Sequence, residues 1–484
     1  MSSELRSKTH RAALWSLLEI TGQRGVQFVV GVILARLLLP EEFGLIGMLL
    51  FFLALAQIFL DSGFGAALIQ RQQITDTDIN SIFYFNILVG FLCAGLLCLL
   101  APSVAVFYQQ PILKPLLRFL SLILIINAFG LIQSTLLVKA IDFKTQTKVS
   151  LLAVILSGGI GITLAVLNFG VWSLAVQQVC AALFRTVFLW VFSTWRPSRL
   201  FSLRSLKDLF HYAWKLLCSG FLNAVFDNLY YVVIGRLFPP AELGYFTRAD
   251  NLQQLPSITL SSVAGRIAFP VFSTIQKEPE RVKRGLQKAL MFTALIHFPL
   301  MLSLGAAARQ VVLVLLTEKW APCILYLKML SLVGMMLPLH VLNLNVLQAL
   351  GRSDLFLRLE LVKKGLVVLN LLIAWRWGIP AIILGQIVVS LLGLYLNGYF
   401  NKSLIRYSFW EQIQDLSAYL NPALIAAAAV YLIGLMPISS PAVQLLLQVA
   451  VGTAVYLGLS EVLRLEAYLE LRRILVGRLQ TLRG

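Results

Sequence analysis

The sequence predicts an all-α polytopic membrane protein of about 14 transmembrane helices: two six-helix lobes related by pseudo-twofold symmetry, plus two C-terminal helices. Three observations predict it. Of the 484 residues, 59% are hydrophobic and only 13% charged, whereas a soluble domain carries about 25% charged residues. Apolar runs of about 20 residues, each able to cross about 30 Å of hydrocarbon, recur along the whole chain. Finally, a twelve-residue stretch occurs twice, 200 positions apart: Ile33–Gly44 (ILARLLLPEEFG) and Val233–Gly244 (VIGRLFPPAELG). Five of the twelve positions are identical, and Arg, Pro, Glu and Gly are four of them. An apolar composition yields chance Leu matches, but not that set in register.

Both copies end one apolar run and begin another, so they read as the same hairpin turn, closing span 1 onto span 2 and span 7 onto span 8. Spans 1 and 2 cover about 14–39 and 43–68. Arg6, Lys8 and Arg11 precede span 1 as they would a leader, but that run contains Glu19 and Arg24 and continues to Leu39. It reads as a first span, not a cleaved signal. Spans 3 and 4 cover about 81–107 and 114–138, joined by a turn around Pro111 and Pro115, and spans 5 and 6 about 149–168 and 171–194. A basic connector, Arg196–Asp208, follows; its Leu200, Phe201, Leu203 and Leu206 suit the membrane interface while its cations suit lipid headgroups. Spans 7 to 12 repeat the plan at about 209–238, 243–272, 286–308, 321–348, 356–375 and 379–400. Spans 13 (about 418–436) and 14 (about 441–462) have no counterpart, and a basic amphipathic tail follows. The expected division is an N-lobe (1–195), a cytoplasmic connector (196–208), a C-lobe (209–400), spans 13–14 (401–462) and the tail (463–484).

A fainter echo supports duplication: Asn168–Trp172 (NFGVW) resembles Trp377–Ala381 (WGIPA) about 208 positions later. Six spans per repeat make both halves enter the membrane in the same direction. Their symmetry axis then lies along the membrane normal, with a midplane cavity between them. Duplication kept for packing alone is the competing explanation.

The net charge of +18 is not a nucleic-acid signature, because most Lys and Arg fall in short connections on one side. With the N-terminus inside, inside segments carry about 27 Lys and Arg against about five outside. Both termini are therefore expected in the cytoplasm. Cys93, Cys98, Cys180, Cys218 and Cys323 lack metal-ligand spacing and read as small core residues.

Charges inside spans are informative, since each costs about 2.5–3.5 kcal/mol on insertion scales. Of about twelve, ten fall in spans 1, 2, 7 and 8: Glu19, Arg24, Arg36, Asp61, Lys215, Asp227, Arg236, Arg248, Asp250 and Arg266. Arg185 and Lys328 are the exceptions. Uncharged polar residues follow the same spans, among them Gln23, Gln27, Asn223, Asn228, Asn251, Gln253 and Gln254. The two equivalent hairpins are thus expected to face water and each other. Six cations against four anions suit an anionic substrate, and guanidinium groups bind phosphate bidentately. Arg24, Lys215, Arg248 and Arg266 are the candidate substrate-binding residues. Arg36 and Arg236, near Glu42 and Glu242, read first as gate or corner residues. Glu19, Asp61, Asp227 and Asp250 are candidates for ion coupling. The competing assignment is internal pairing that only holds helices together, and for Asp227 and Asp250 orientation of neighbouring cations. His297 and His340 sit in apolar runs and read as core histidines.

No phosphate-binding loop, metal-ligand spacing or nucleophile elbow occurs, so neither an enzyme nor a cofactor is expected. Several stretches resemble the polysaccharide exporters of the multidrug/oligosaccharidyl-lipid/polysaccharide flippase superfamily, in particular the colanic-acid-exporter type of lipopolysaccharide biosynthesis protein. They are Asp61–Asn86, Pro102–Tyr108, Phe201–Leu209, Asp227–Gly244, Phe269–Arg281 (FPVFSTIQKEPER), Thr317–Pro322 (TEKWAP) and Gln348–Asp354 (QALGRSD). The Gly-Asp-Arg loop of major facilitator transporters is absent between spans 2 and 3. The resemblance implies a multi-pass protein of the bacterial inner membrane whose spans 1, 2, 7 and 8 line a cavity. It implies a polyprenyl-diphosphate-linked oligosaccharide as substrate (an O-antigen, exopolysaccharide or capsule repeat unit), flipped by alternating access. Expected partners are that substrate, membrane lipids, and a glycan polymerase with its chain-length regulator; no nucleic acid is expected. A cation-coupled drug extruder of the same superfamily and a non-transporting scaffold of a glycan assembly complex are the alternatives.

Overall fold

Each apolar run becomes a helix, and local capping chemistry sets where it starts. A computed structural model describes residues 22–481, with side chains placed for all of these except Tyr212 and residues 474–481. In chain order the helices are α1 (22–37), α2 (Pro40–Asp61), α3 (Phe64–Gln70), α4 (Asp76–Tyr108), α5 (Leu113–Leu120), α6 (Leu122–Lys139), α7 (Phe143–Val166) and α8 (Val171–Phe192). They continue as α9 (Leu203–Leu237), α10 (Pro240–Thr274), α11 (Pro279–Ala306), α12 (Ala308–Leu315), α13 (Cys323–Ala349) and α14 (Ser353–Ala374). The last four are α15 (Ile379–Ile405), α16 (Phe409–Leu435), α17 (Pro441–Val462) and α18 (Glu466–Thr481). Among the described residues no strand forms.

Proline opens α2, α10, α11 and α17, where its missing N–H would have had no partner and its fixed φ suits the first turn. Thr75 and Asp78 form a reciprocal capping box on α4: Asp78 N donates to Thr75 Oγ1 (3.2 Å) and Thr75 N to Asp78 Oδ2 (3.1 Å). Ser408 and Glu411 cap α16 in the same way.

Twelve of the described helices are long and apolar enough to cross a membrane. The other two expected spans are span 1, of which residues 14–21 lie outside the described residues, and span 11, where Arg358, Glu360, Lys363 and Lys364 dilute the apolar stretch of α14. Outward-facing Leu92, Leu96 and Leu99 on α4 are 62%, 55% and 78% exposed, as a helix against lipid tails requires.

Several expected boundaries change. Span 2 breaks after Asp61, because Ser62 (φ 47°) and Gly63 (φ 72°) both turn left-handed before α3 begins. The break lets the Ala213 carbonyl of α9 approach so closely that a Cβ on Gly63 would lie 2.5 Å from it. Span 4 divides into α5 and α6 at Ser121, and a further short helix, α12, follows the expected end of span 9. The end of the connector, Leu203–Asp208, is helical and continuous with α9.

Packing divides the chain into two units, Met1–Thr247 and Arg248–Gly484. In the first, α2 packs along α4 and α9, α4 along α6, α6 along α8, and α7 along α8. A core of Phe64, Leu68, Ile82, Phe83, Ile132 and Leu209 joins α3, α4, α6 and α9. In the second, α11 packs on α13 and α16, α13 on α15, α14 on α15, and α16 on α17. The unit boundary falls inside α10, so α9 and the start of α10 pack with the first unit although the repeat counts them with the second lobe.

The reason lies in the duplicated turn. A Cβ on Gly44 would sit 1.7 Å from the Pro240 carbonyl oxygen, and one on Gly244 would sit 1.9 Å from that of Pro40. Residues 40 and 44 thus meet 240 and 244 reciprocally, as a pseudo-twofold contact demands. Without an aqueous driving force, helices in a membrane gain from such close backbone approach, which only glycine permits here. Gly44→Ala should therefore destabilise the protein by about 1–3 kcal/mol or more through overpacking. Gly95→Ala, at a position with nothing within 4 Å of the added carbon, should be neutral or stabilise by up to about 1 kcal/mol. Thermal unfolding of both variants in detergent checks the pair, and equal midpoints would contradict the contact.

Candidate functional site

The charged residues of the repeat hairpins begin with those that helix ends explain. Arg36 and Arg236 lie in the last turns of α1 and α9, and Glu42 and Glu242 in the first turns of α2 and α10. Cations at C-termini and carboxylates at N-termini each gain about 0.3–1 kcal/mol from the helix dipole. The Glu42 carboxylate also accepts from Leu39 N at 2.7 Å, which ties the turn to its own helix. The Arg236 guanidinium lies 5.5 Å from the centroid of the Phe107 ring, a cation–π distance.

Of the four candidate substrate cations, Arg24 (α1, half-buried) and Lys215 (α9, exposed) belong to the first unit. Arg248 (half-buried) and Arg266 (exposed), both on α10, belong to the second. Arg248 lies close enough to Cys323 for the two to interact. Glu19 lies outside the described residues. Asp227 is exposed on α9. Asp250 is buried, and both its oxygens are engaged: Gln253 Nε2 donates to Oδ1 at 2.8 Å and Gln254 Nε2 to Oδ2 at 2.7 Å. His297 Nε2 lies 3.0 Å from the Gly334 carbonyl, and His340 lies between Ser390 Oγ (3.0 Å) and Asn397 Nδ2 (3.2 Å), as core histidines do. Among the described residues no group of three or more His, Cys, Asp or Glu is placed to hold a metal ion.

Asp61 has surroundings that the sequence did not reveal. It lines a cavity of about 470 Å³ inside the first unit, between α2, α6 and α8, together with Gln57, Asn127, Ser134, Arg185 and Thr186. Asn127 Nδ2 donates to Gln57 Oε1 (2.9 Å), and Gln57 Nε2 donates to Asp61 Oδ1 (3.1 Å). Arg185, which the sequence left as an isolated charge, is near enough for its charge to act on Asp61. A second cavity of about 410 Å³ shares Asp61 and Ser134 and reaches α9 at Leu216 and Gly220. Gln57 and Asn127 were missed by sequence reasoning. The available signal was weak: Gln57 precedes Asp61 by four residues, hence on one helical face.

Asp250 yields a direct check. Asp250→Ala strands two amide donors, one on buried Gln253, and should cost about 1–3 kcal/mol. Asp250→Asn, which keeps one acceptor, should cost less. Thermal midpoints in detergent measure both; an Ala variant as stable as the parent would show that these hydrogen bonds carry no weight.

Comparison with known proteins follows this geometry. The profile of a family described as polysaccharide biosynthesis protein matches residues 33–325. The teichuronic acid biosynthesis protein TuaB of Bacillus subtilis (strain 168) is 30% identical over 302 residues, 62% of this chain and 62% of TuaB. The succinoglycan biosynthesis transport protein ExoT of Rhizobium meliloti (strain 1021) is 30% identical over 323 residues, 66% of this chain and 65% of ExoT. The chain therefore spans slightly under two thirds of these two relatives. In structure it resembles the lipid II flippase MurJ in an inward closed conformation, with a TM-score of 0.76 at 14% identity, covering 93% of this chain and 98% of that one. That likeness establishes the fold: an all-helical, multi-pass membrane architecture. With the family profile covering more than half its length, this chain belongs to the polysaccharide biosynthesis protein family.

Proposed function

We propose that this protein is a flippase that carries a polyprenyl-diphosphate-linked oligosaccharide, such as an O-antigen, exopolysaccharide or capsule repeat unit, across the bacterial inner membrane. The observation that carries the reading is the charge distribution. Ten charged residues fall in the duplicated hairpins, six cations against four anions, in a chain of this family. Such an arrangement suits a substrate whose diphosphate loses its hydration on entering the membrane, because fixed guanidinium and ammonium groups offset that loss. ExoT's designation as a transport protein and MurJ's as a flippase support transport rather than catalysis.

In this mechanism Arg24, Lys215, Arg248 and Arg266 hold the diphosphate and acidic sugars at successive depths, while the polyprenyl tail stays in lipid. The two lobes rock about their interface and expose the site to each side in turn. The turn residues Arg36, Glu42, Arg236 and Glu242 act as corners about which the hairpins move. Glu19, Asp61, Asp227 and Asp250 are the carboxylates available to couple the cycle to an ion. Both termini lie in the cytoplasm, as the basic inside segments favour. The translocated unit passes to a glycan polymerase and its chain-length regulator.

The test is translocation of a lipid-linked oligosaccharide in proteoliposomes. The wild-type chain should move it between leaflets, and Arg24→Gln or Arg266→Gln should reduce translocation to the protein-free rate while the variant still inserts. Translocation at the wild-type rate in both variants would contradict the cationic site, and none with the wild-type chain would contradict the flippase reading.

A further inference from the structure

We propose that the polar cavity inside the first unit is a sugar subsite that takes neutral, hydroxyl-bearing rings of the glycan and not the diphosphate. The inference rests on the flippase reading and adds to it a place for the sugar. A flippase must replace the hydration of two chemically different parts of its substrate. The hairpin cations suit the anionic part, but they offer a string of hydroxyls little beyond charge. A hydroxyl both donates and accepts, so its site needs donors and acceptors together.

The cavity between α2, α6 and α8 supplies that mixture. Gln57, Asp61, Asn127, Ser134, Arg185 and Thr186 line it. Polar side chains inside a membrane bundle are costly and mark functional positions. The chain of hydrogen bonds from Asn127 through Gln57 to Asp61 fixes the two amides in one orientation. It uses one hydrogen of each amide and one oxygen of the carboxylate, so each group keeps capacity for a ligand. Among the described residues, Ser134 and the Arg185 guanidinium make no hydrogen bond, and both line the same cavity.

Charge distinguishes the ligand class. Asp61 and Arg185 are the ionisable groups of this cavity, one acidic and one basic. Their sum is zero, so the cavity offers no net attraction to a diphosphate. It offers instead a carboxylate acceptor opposite a five-donor fork, which suits neighbouring hydroxyls of one ring. Its volume of about 470 Å³ falls within the ~300–1,000 Å³ of small-molecule sites. Asp61 and Arg185 are both exposed, and the adjoining cavity that shares Asp61 and Ser134 leads towards α9, so the space can be entered.

Local structure adds an independent reason. Asp61 is the last residue of α2, and the helix stops there because Ser62 and Gly63 turn left-handed. A carboxylate at a helix C-terminus opposes the dipole by about 0.3–1 kcal/mol. A residue placed against its local preference, at a break held by close contact with α9, marks a functional site.

The experiment uses the full chain in proteoliposomes, its five native cysteines replaced by serine, with Ser134→Cys as reporter for a small neutral maleimide. Two probes are compared: polyprenyl-diphosphate-linked oligosaccharide extracted from the cells that make it, and undecaprenyl diphosphate without sugar. At about ten times its Kd, the sugar-bearing lipid should slow labelling about tenfold, and the sugar-free diphosphate should leave the rate unchanged. Adding Gln57→Leu should remove the protection. Asn127→Cys is the second reporter should Ser134→Cys fail to insert. Equal protection by the sugar-free diphosphate would make this an anion site and overturn the proposal. Absence of protection while the parent chain still translocates the same lipid would overturn the subsite alone. Absence of translocation by the parent would overturn the flippase reading, and the subsite with it.

Discussion

An ion placed in hydrocarbon loses its hydration, and a chain that carries such ions must give them water, a partner or a ligand. This protein concentrates them. Spans 1, 2, 7 and 8 hold ten charged residues, and these are the spans joined by the duplicated turn. The helix ends account for Arg36, Glu42, Arg236 and Glu242. The carboxylate of Asp250 is held by two glutamine amides. Lys215, Arg248 and Arg266 lie away from the helix ends, so dipole stabilisation does not explain them. The flippase proposal gives them and Arg24 a role, as counter-charges to the substrate.

The reciprocal contact of Gly44 with Pro240 and Gly244 with Pro40 makes the repeat a physical object as well as a sequence pattern. Two backbones can approach so closely only because neither position bears a side chain. The same turn carries Arg and Glu on either side of its proline, so the charge pattern and the packing pattern are duplicated together. A contact of this kind fixes where the two turns meet.

Much of this was legible in the sequence. Span existence follows from the length of apolar runs, and the repeat from five identities that include Arg, Pro, Glu and Gly. The break at Ser62–Gly63 carries a turn signal in its Ser-Gly pair, but the apolar run that resumes at Phe64 hid it, and the close approach of the Ala213 carbonyl is visible only in the structure. Ser121 interrupts span 4 with no Gly or Pro beside it to announce the change. The polar cavity was hidden for a different reason. Gln57 and Asn127 bond across 70 positions, and Arg185 joins them from a third helix, so no local window contains the site. Sequence reasoning made Asp61 a candidate for ion coupling but did not show the amides, hydroxyls and guanidinium that share its cavity.

The central claim is that the charged hairpin helices face water inside the membrane. Single-cysteine accessibility tests it most directly, with Arg24→Cys, Lys215→Cys and Arg266→Cys in a chain otherwise free of cysteine. The account predicts that all three react with a small water-soluble maleimide at rates close to that of a loop cysteine, and that Leu99→Cys on the lipid-facing side of α4 does not. Reaction of the three only with a lipid-soluble reagent, at the rate of Leu99→Cys, would contradict it.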